Sequence, residues 1–113
     1  MRLRVALILS SLVLAAPAAG HVEGGAWPVE KAVRLADGKR LRVGTKTIRV
    51  DADTTLCSGE GRGARRRGVR VWTHFRCTFT TFRGVLPGPD VEFRLHALDM
   101  RRLALTNAVW VRD

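Results

Sequence analysis

The chain has 113 residues, with 20 Lys and Arg against 10 Asp and Glu, a formal net charge of +10 and two cysteines. That length fits a single domain with a modest core, small enough for a covalent staple to matter. No Cys-x-x-Cys pair is present, so the cysteines give no support to a zinc site.

At the N-terminus, Arg2 and Arg4 precede an apolar run from Val5 to Ala16. Small residues follow at Ala16-Pro17-Ala18 and Ala18-Ala19-Gly20. This three-part pattern is that of a secretory signal peptide over residues 1–20, cleaved to leave a lead-in at 21–26 and one domain at 27–113. The run is shorter than the roughly 20 apolar residues needed to cross a bilayer, and Ser10, Ser11 and Pro17 interrupt it. No later segment is apolar enough to span a membrane after cleavage, so the expected location is extracellular or in the cell envelope. Loss of Arg2 and Arg4 brings the net charge from +10 to +8, which favours encounter with anionic partners. The same charge has a compositional source. Only Lys31, Lys39 and Lys46 are lysine, Tyr is absent and Asn occurs once, a bias typical of a GC-rich bacterial genome.

Trp27 to Ala36 reads as a short helix. Pro28 suits the first turn, Glu30 lies near the positive end of the dipole, and Gly38 is placed to stop it. Val29, Ala32, Val33 and Ala36 follow helical spacing and predict a buried face, with Trp27 capping it. Strand texture follows in Lys39–Val43 and Thr45–Val50, and Asp51-Ala52-Asp53 marks a turn or bulge. Thr54–Cys57 is extended again. Cys57 and Cys77 in an exported chain predict a disulfide that closes a loop of 21 residues.

Between the cysteines lies Ser58-Gly59-Glu60-Gly61-Arg62-Gly63-Ala64-Arg65-Arg66-Arg67-Gly68. Its alternate glycines suggest a nest of backbone N–H groups, with Arg62, Arg65, Arg66 and Arg67 to draw in a phosphate or carboxylate. A flexible, solvated hairpin loop is the other reading. The spacing excludes a P-loop and a dinucleotide fingerprint.

Val69 to Phe79 alternates over eleven residues and predicts one long half-buried strand. Gly84–Asp90 has turn chemistry. Val91–Ala97 alternates, with Val91, Phe93, Leu95 and Ala97 inward, and Arg102–Val111 forms a last strand after a turn at Asp99–Arg101. The expected fold is α+β: one N-terminal helix packed on a four- or five-stranded antiparallel sheet, a meander in its C-terminal half, with one disulfide.

By parity, Arg70, Trp72, His74 and Arg76 share the outer sheet face with Arg94 and His96, and Arg102, Thr106 and Trp110 extend it. Three uses of that face stand side by side. Bases or sugars stack on the tryptophans while arginines meet phosphates; Trp72 and Trp110 stack on each other for stability; or another protein covers the face. His74 and His96 alone make no metal site, no cofactor is expected, and no serine or cysteine nucleophile is framed for catalysis. A small hydrolase built on His74, His96 and Glu92 is the enzymatic reading, set against a non-enzymatic binding domain. For the latter the partner is either a protein or envelope component, or an anionic polymer such as nucleic acid.

The residues Cys57-Ser58-Gly59-Glu60-Gly61, Trp72–Phe79 and Val91–His96 resemble those of small exported bacterial proteins with a Cys-x-Gly-x-Gly … His-Phe-x-Cys core. Their layout is similar to cystatin-like domains, and the resemblance spans most of residues 27–110. It implies a shared disulfide framework. The Gln-x-Val-x-Gly inhibitory motif of cystatins does not occur here, so protease inhibition is not implied.

Overall fold

The computed structural model describes residues 25–111. The apolar run at Val5–Ala16 and its cleavage signals lie outside them. Among the described residues, no helix is long and apolar enough to cross a membrane.

Helix α1 spans Val29–Ala36, and eight strands follow: β1 Arg40–Val43, β2 Lys46–Arg49, β3 Thr55–Gly59, β4 Ala64–Arg66, β5 Val69–Val71, β6 His74–Arg83, β7 Leu86–Ala97 and β8 Leu103–Trp110. They form three antiparallel sheets rather than one meander: a four-stranded sheet in the order β3-β6-β7-β8 and the two ribbons β1-β2 and β4-β5. The α+β character, the helix on an antiparallel sheet and the four-stranded size are as expected from the sequence. The division into three sheets is not, and the separation of the β4-β5 ribbon has its cause at Trp72.

The residues of α1 explain how it seats. Ala32 and Ala36 are wholly buried, and Val29 and Leu35 pack on the same core. Two alanines on the buried face let the helix backbone come close to the sheet. Trp27, just before the helix, is 1% exposed and is among the largest buried side chains. Its indole Nε1–H donates to the Asp99 carbonyl (2.8 Å), and Lys31 Nζ stands 5.2 Å from the ring centroid. Buried tryptophan needs such a partner for its N–H, because an orphan donor is costly.

The inner face of the main sheet supplies Phe75, Cys77, Phe79, Val91, Phe93, Leu95 and Ala97, all buried. Leu41 and Val43 of β1, with Val50, close the core from the β1-β2 side. Phe79 and Phe93 meet edge to face at 6.0 Å. Alternation in β6 and β7 therefore does what the sequence pattern requires.

Cys57 and Cys77 are direct cross-strand partners on β3 and β6, with Cα atoms 4.0 Å apart, and they form the disulfide. The bond fastens β3 to the sheet at the point where the chain leaves for the β4-β5 excursion.

Two departures from the expected strands have local causes. Gly84–Asp90 is not a turn as a whole: Arg83 pairs with Leu86, so only Gly84 (φ 65°) and Val85 form the loop. The register shifts between Thr80 and Phe82, and Pro89 sits at this irregularity. There the Thr81 hydroxyl donates to the Pro89 carbonyl (2.7 Å). A bulge tolerates the missing proline N–H. The second departure is in β8. Asn107 adopts φ 55°, and Arg94 pairs with Thr106 while Glu92 pairs with Val109. One extra residue on β8 reverses the side-chain parity beyond it. Ala108 and Trp110 consequently pack on the core, and Val109 is exposed.

Because the disulfide restricts the unfolded chain across 21 residues, reduction should lower the unfolding free energy by about 3 kcal/mol. Urea unfolding with and without reductant measures this. A loss below about 1 kcal/mol would show that β3 holds its place by pairing and packing alone.

Candidate functional site

Trp72 governs how the candidate residues are distributed. Its backbone leaves the β6 ladder to pair with Trp27: Trp27 N–H donates to the Trp72 carbonyl (2.9 Å) and Trp72 N–H to the Trp27 carbonyl (2.8 Å). The ring packs edge-on to Phe75 at 6.2 Å and against the core. A Cβ at Gly59 would stand 2.0 Å from the ring, and one at Gly63 would stand 2.7 Å from the indole nitrogen. The indole Nε1–H donates to the Gly61 carbonyl at 3.1 Å. The glycine spacing thus makes room for an indole, and Trp72 is not on the outer face with His74 and Arg76. The expected eleven-residue strand is broken into β5 and β6 at Trp72-Thr73.

Trp110 also departs from expectation. The Asn107 bulge turns it inward, where it lines a groove with Lys46, Ile48 and Phe82. Trp72 and Trp110 therefore form no aromatic platform on the outer face. Arg70 leaves that face as well, since β5 pairs with β4 and not with the main sheet. Arg102 pairs instead with Asp99 in the β7–β8 turn, at 2.6 Å. Asp99 also accepts backbone N–H bonds from Arg101 (2.9 Å) and Arg102 (2.8 Å). The Arg101 N–H, then the Arg102 side chain and N–H, hold its carboxyl down at about 2.

His74, Arg76, Arg94 and His96 do share the outer face, as two adjacent cross-strand pairs. Arg76 is directly opposite Arg94, and His74 directly opposite His96. Like charges in such positions repel, and the arginine pair is neutralised by two carboxylates. Glu60 lies 3.1 Å from Arg94 and 3.9 Å from Arg76, and Glu92 lies 3.5 Å from Arg76. Glu60 was not among the sequence candidates. Its signal was its place two residues beyond Ser58 on the same face of β3, carried past the strand end by the Glu60 N–H, which donates to the His74 carbonyl (2.9 Å). Two arginines and two glutamates make a patch without local excess charge.

The imidazoles of His74 and His96 stack at 4.1 Å with an interplanar angle of 11°. Burial first, and then the charge of His74, lower the pKa of His96 from 6.5. Thr73 Oγ1 and His74 Nδ1 share a hydrogen bond at 3.0 Å. Among the described residues, no group of three His, Cys, Asp or Glu side chains could hold a metal ion.

The β4-β5 ribbon is electrostatically different. Arg65 is directly opposite Arg70, Arg62 and Arg67 flank them, and Arg66 is half-buried on the same ribbon. The sequence has no Asp or Glu between Glu60 and Asp90. Arg65 Nη1 donates to the Gly68 carbonyl (3.0 Å) and Arg70 Nη1 to the Arg62 carbonyl (2.6 Å). Carbonyls fix the direction of these guanidinium groups but leave their charge in place. The turn itself has Arg67 at φ 50° and Gly68 at φ 79°, the geometry of a two-residue hairpin loop.

The chain matches no protein-family model, no curated protein and no solved structure.

The histidine stack generates a pH dependence. With the folded pKa of His96 below 6.5, the native chain binds less proton than the unfolded one as pH falls. Stability present above pH 6.5 is therefore lost as pH drops through the folded value. In an NMR titration the His96 midpoint should lie below 6.5 and should rise in His74→Gln without reaching 6.5, because burial remains. A wild-type midpoint at or above 6.5 contradicts the stacking account.

Proposed function

We propose that this is a non-enzymatic binding domain of the extracellular space or cell envelope that holds an anionic polymer on its β4-β5 ribbon. The observation that carries the reading is the arrangement of Arg62, Arg65, Arg67 and Arg70. They are exposed on one short hairpin, and two of them are directly opposed with no carboxylate between them among the described residues. Opposed like charges cost free energy, and a bound polyanion would relieve that cost. The contrast with Arg76 and Arg94 sharpens the point, since there the same chain supplies Glu60 and Glu92 to an opposed pair.

The ribbon also suits a phosphate or sulfate chain in form. Guanidinium groups make bidentate, charge-assisted bonds to such groups, and a two-stranded ribbon presents them in a row. Export is supported by the N-terminal signal pattern and by the disulfide, since disulfides persist in oxidising compartments. The outer face of the main sheet, with its charges matched, is assigned no polyanion contact. A phosphate-rich or acidic envelope polymer and nucleic acid offer the same chemistry to the ribbon.

The test is salt-titrated binding to immobilised duplex DNA and to an acidic glycan. Four phosphate contacts give a log–log salt slope of about −3.6 on DNA. The variant with Arg62, Arg65, Arg67 and Arg70 all changed to Ser should lose most of that slope and elute well before the wild type. Its four changes lie on exposed side chains, so its melting temperature should stay close to the parent's. Coincident elution of the two proteins would show that the charge reflects composition only.

A further inference from the structure

The β6-β7 hairpin runs past the rest of its sheet. β3 stops pairing with β6 at Phe79, and β8 stops pairing with β7 at Val91. Beyond Thr80 and Asp90 the two strands of the hairpin pair only with each other among the described residues. At the end of this extension, Phe82, Val85 and Leu86 are exposed by 52%, 89% and 66%. Folding leaves these three apolar side chains in water although the core has abundant apolar partners on the same strands.

Cations surround the base of the tip. Arg83 is exposed between Phe82 and Gly84, Lys46 lines one groove against Phe82 and Leu86, and Arg49 lines another against Phe82. The nearby carboxylates are fewer than these three cations and bond to neutral donors: Asp90 accepts from the Thr80 hydroxyl (2.8 Å), and Asp51 from the Asp53 N–H (2.9 Å).

The geometry points to an anionic lipid surface as the partner of this tip, with Val85, Leu86 and Phe82 entering the headgroup–acyl boundary and Lys46, Arg49 and Arg83 meeting lipid phosphates. A convex two-residue loop cannot supply the roughly 800 Å² per partner of a stable protein interface. A bilayer needs no complementary shape. Apolar side chains ringed by Lys and Arg are the combination that anionic interfaces bind. This assignment is independent of the arginine ribbon. The ribbon emerges at the His74 end of β6 and the tip at the Arg83 end, about 30 Å away at roughly 3.3 Å per residue.

The test is amide hydrogen exchange of the full chain, free and on vesicles of phosphatidylglycerol and phosphatidylcholine in equal parts, or of phosphatidylcholine alone. Exchange is read at the tip itself, so attachment of the apolar N-terminal run to the same vesicle does not imitate insertion. The amides of residues 82–86 should slow at least fivefold on the anionic vesicles and less on the neutral ones. The slowing should persist in the Arg62→Ser, Arg65→Ser, Arg67→Ser, Arg70→Ser variant and disappear in V85S/L86S, whose changes touch only exposed side chains. Unchanged exchange on anionic vesicles, or equal slowing in V85S/L86S, overturns the assignment. Slowing without vesicles that grows with protein concentration also overturns it, since the occupant is then a second copy of the chain.

Discussion

One indole sets the arrangement of this domain. Trp72 lies over Gly59, hydrogen-bonds the Gly61 carbonyl and pairs its backbone with Trp27 at the head of the helix. Those contacts take the chain out of the β6 ladder for two residues and send β4 and β5 away from the main sheet as a separate ribbon. Without the break, Val69–Phe79 would run as one strand, and Arg70 would join Arg76 on the outer face beside Glu60 and Glu92. The exposed arginine ribbon therefore depends on a packing event on the opposite side of the sheet.

The magnitudes indicate which contacts fix the fold. The ion pairs of Arg76 and Arg94 join side chains that are 31–54% exposed, and pairs of that kind are worth about 0–1 kcal/mol each. Burial of a large apolar side chain contributes about 2–3 kcal/mol, and the disulfide adds about 3 kcal/mol by restricting the unfolded chain. Packing and the covalent bond hold the structure. The outer ion pairs instead decide where positive charge is cancelled and where it is left. This separation allows the opposed Arg65 and Arg70 to keep their charge at modest cost, since they are in water and screened by salt.

Much of the framework was legible in the residues. Helical spacing located α1, the even cysteine count paired Cys57 with Cys77, and alternation assigned the inward positions of β6 and β7 and placed His74, Arg76, Arg94 and His96 together. What was not legible came from interactions distant in sequence or from single-residue shifts. Alternation continues unbroken through Trp72, so nothing local marks the strand break that Trp27 imposes. Asn107 reverses the parity of Trp110 by inserting one residue, and one residue is the smallest error that exchanges the faces of a strand. Glu60 was hidden because its glycine-rich surroundings read as loop. The apolar tip was hidden because Pro87, Gly88 and Pro89 read as turn, although a bulge seats them within a strand.

The most direct test of the Trp72 constraint is the unfolding free energy and the indole N–H resonance of Gly59→Ala, measured with the disulfide intact. The added methyl would stand 2.0 Å from the ring, so the indole must move. The expected result is a loss of about 2 kcal/mol, in the range of core overpacking, together with a shifted Trp72 Nε1–H signal as its bond to Gly61 is lost. Wild-type stability with an unmoved resonance would contradict it, and the separation of the ribbon would then need another cause.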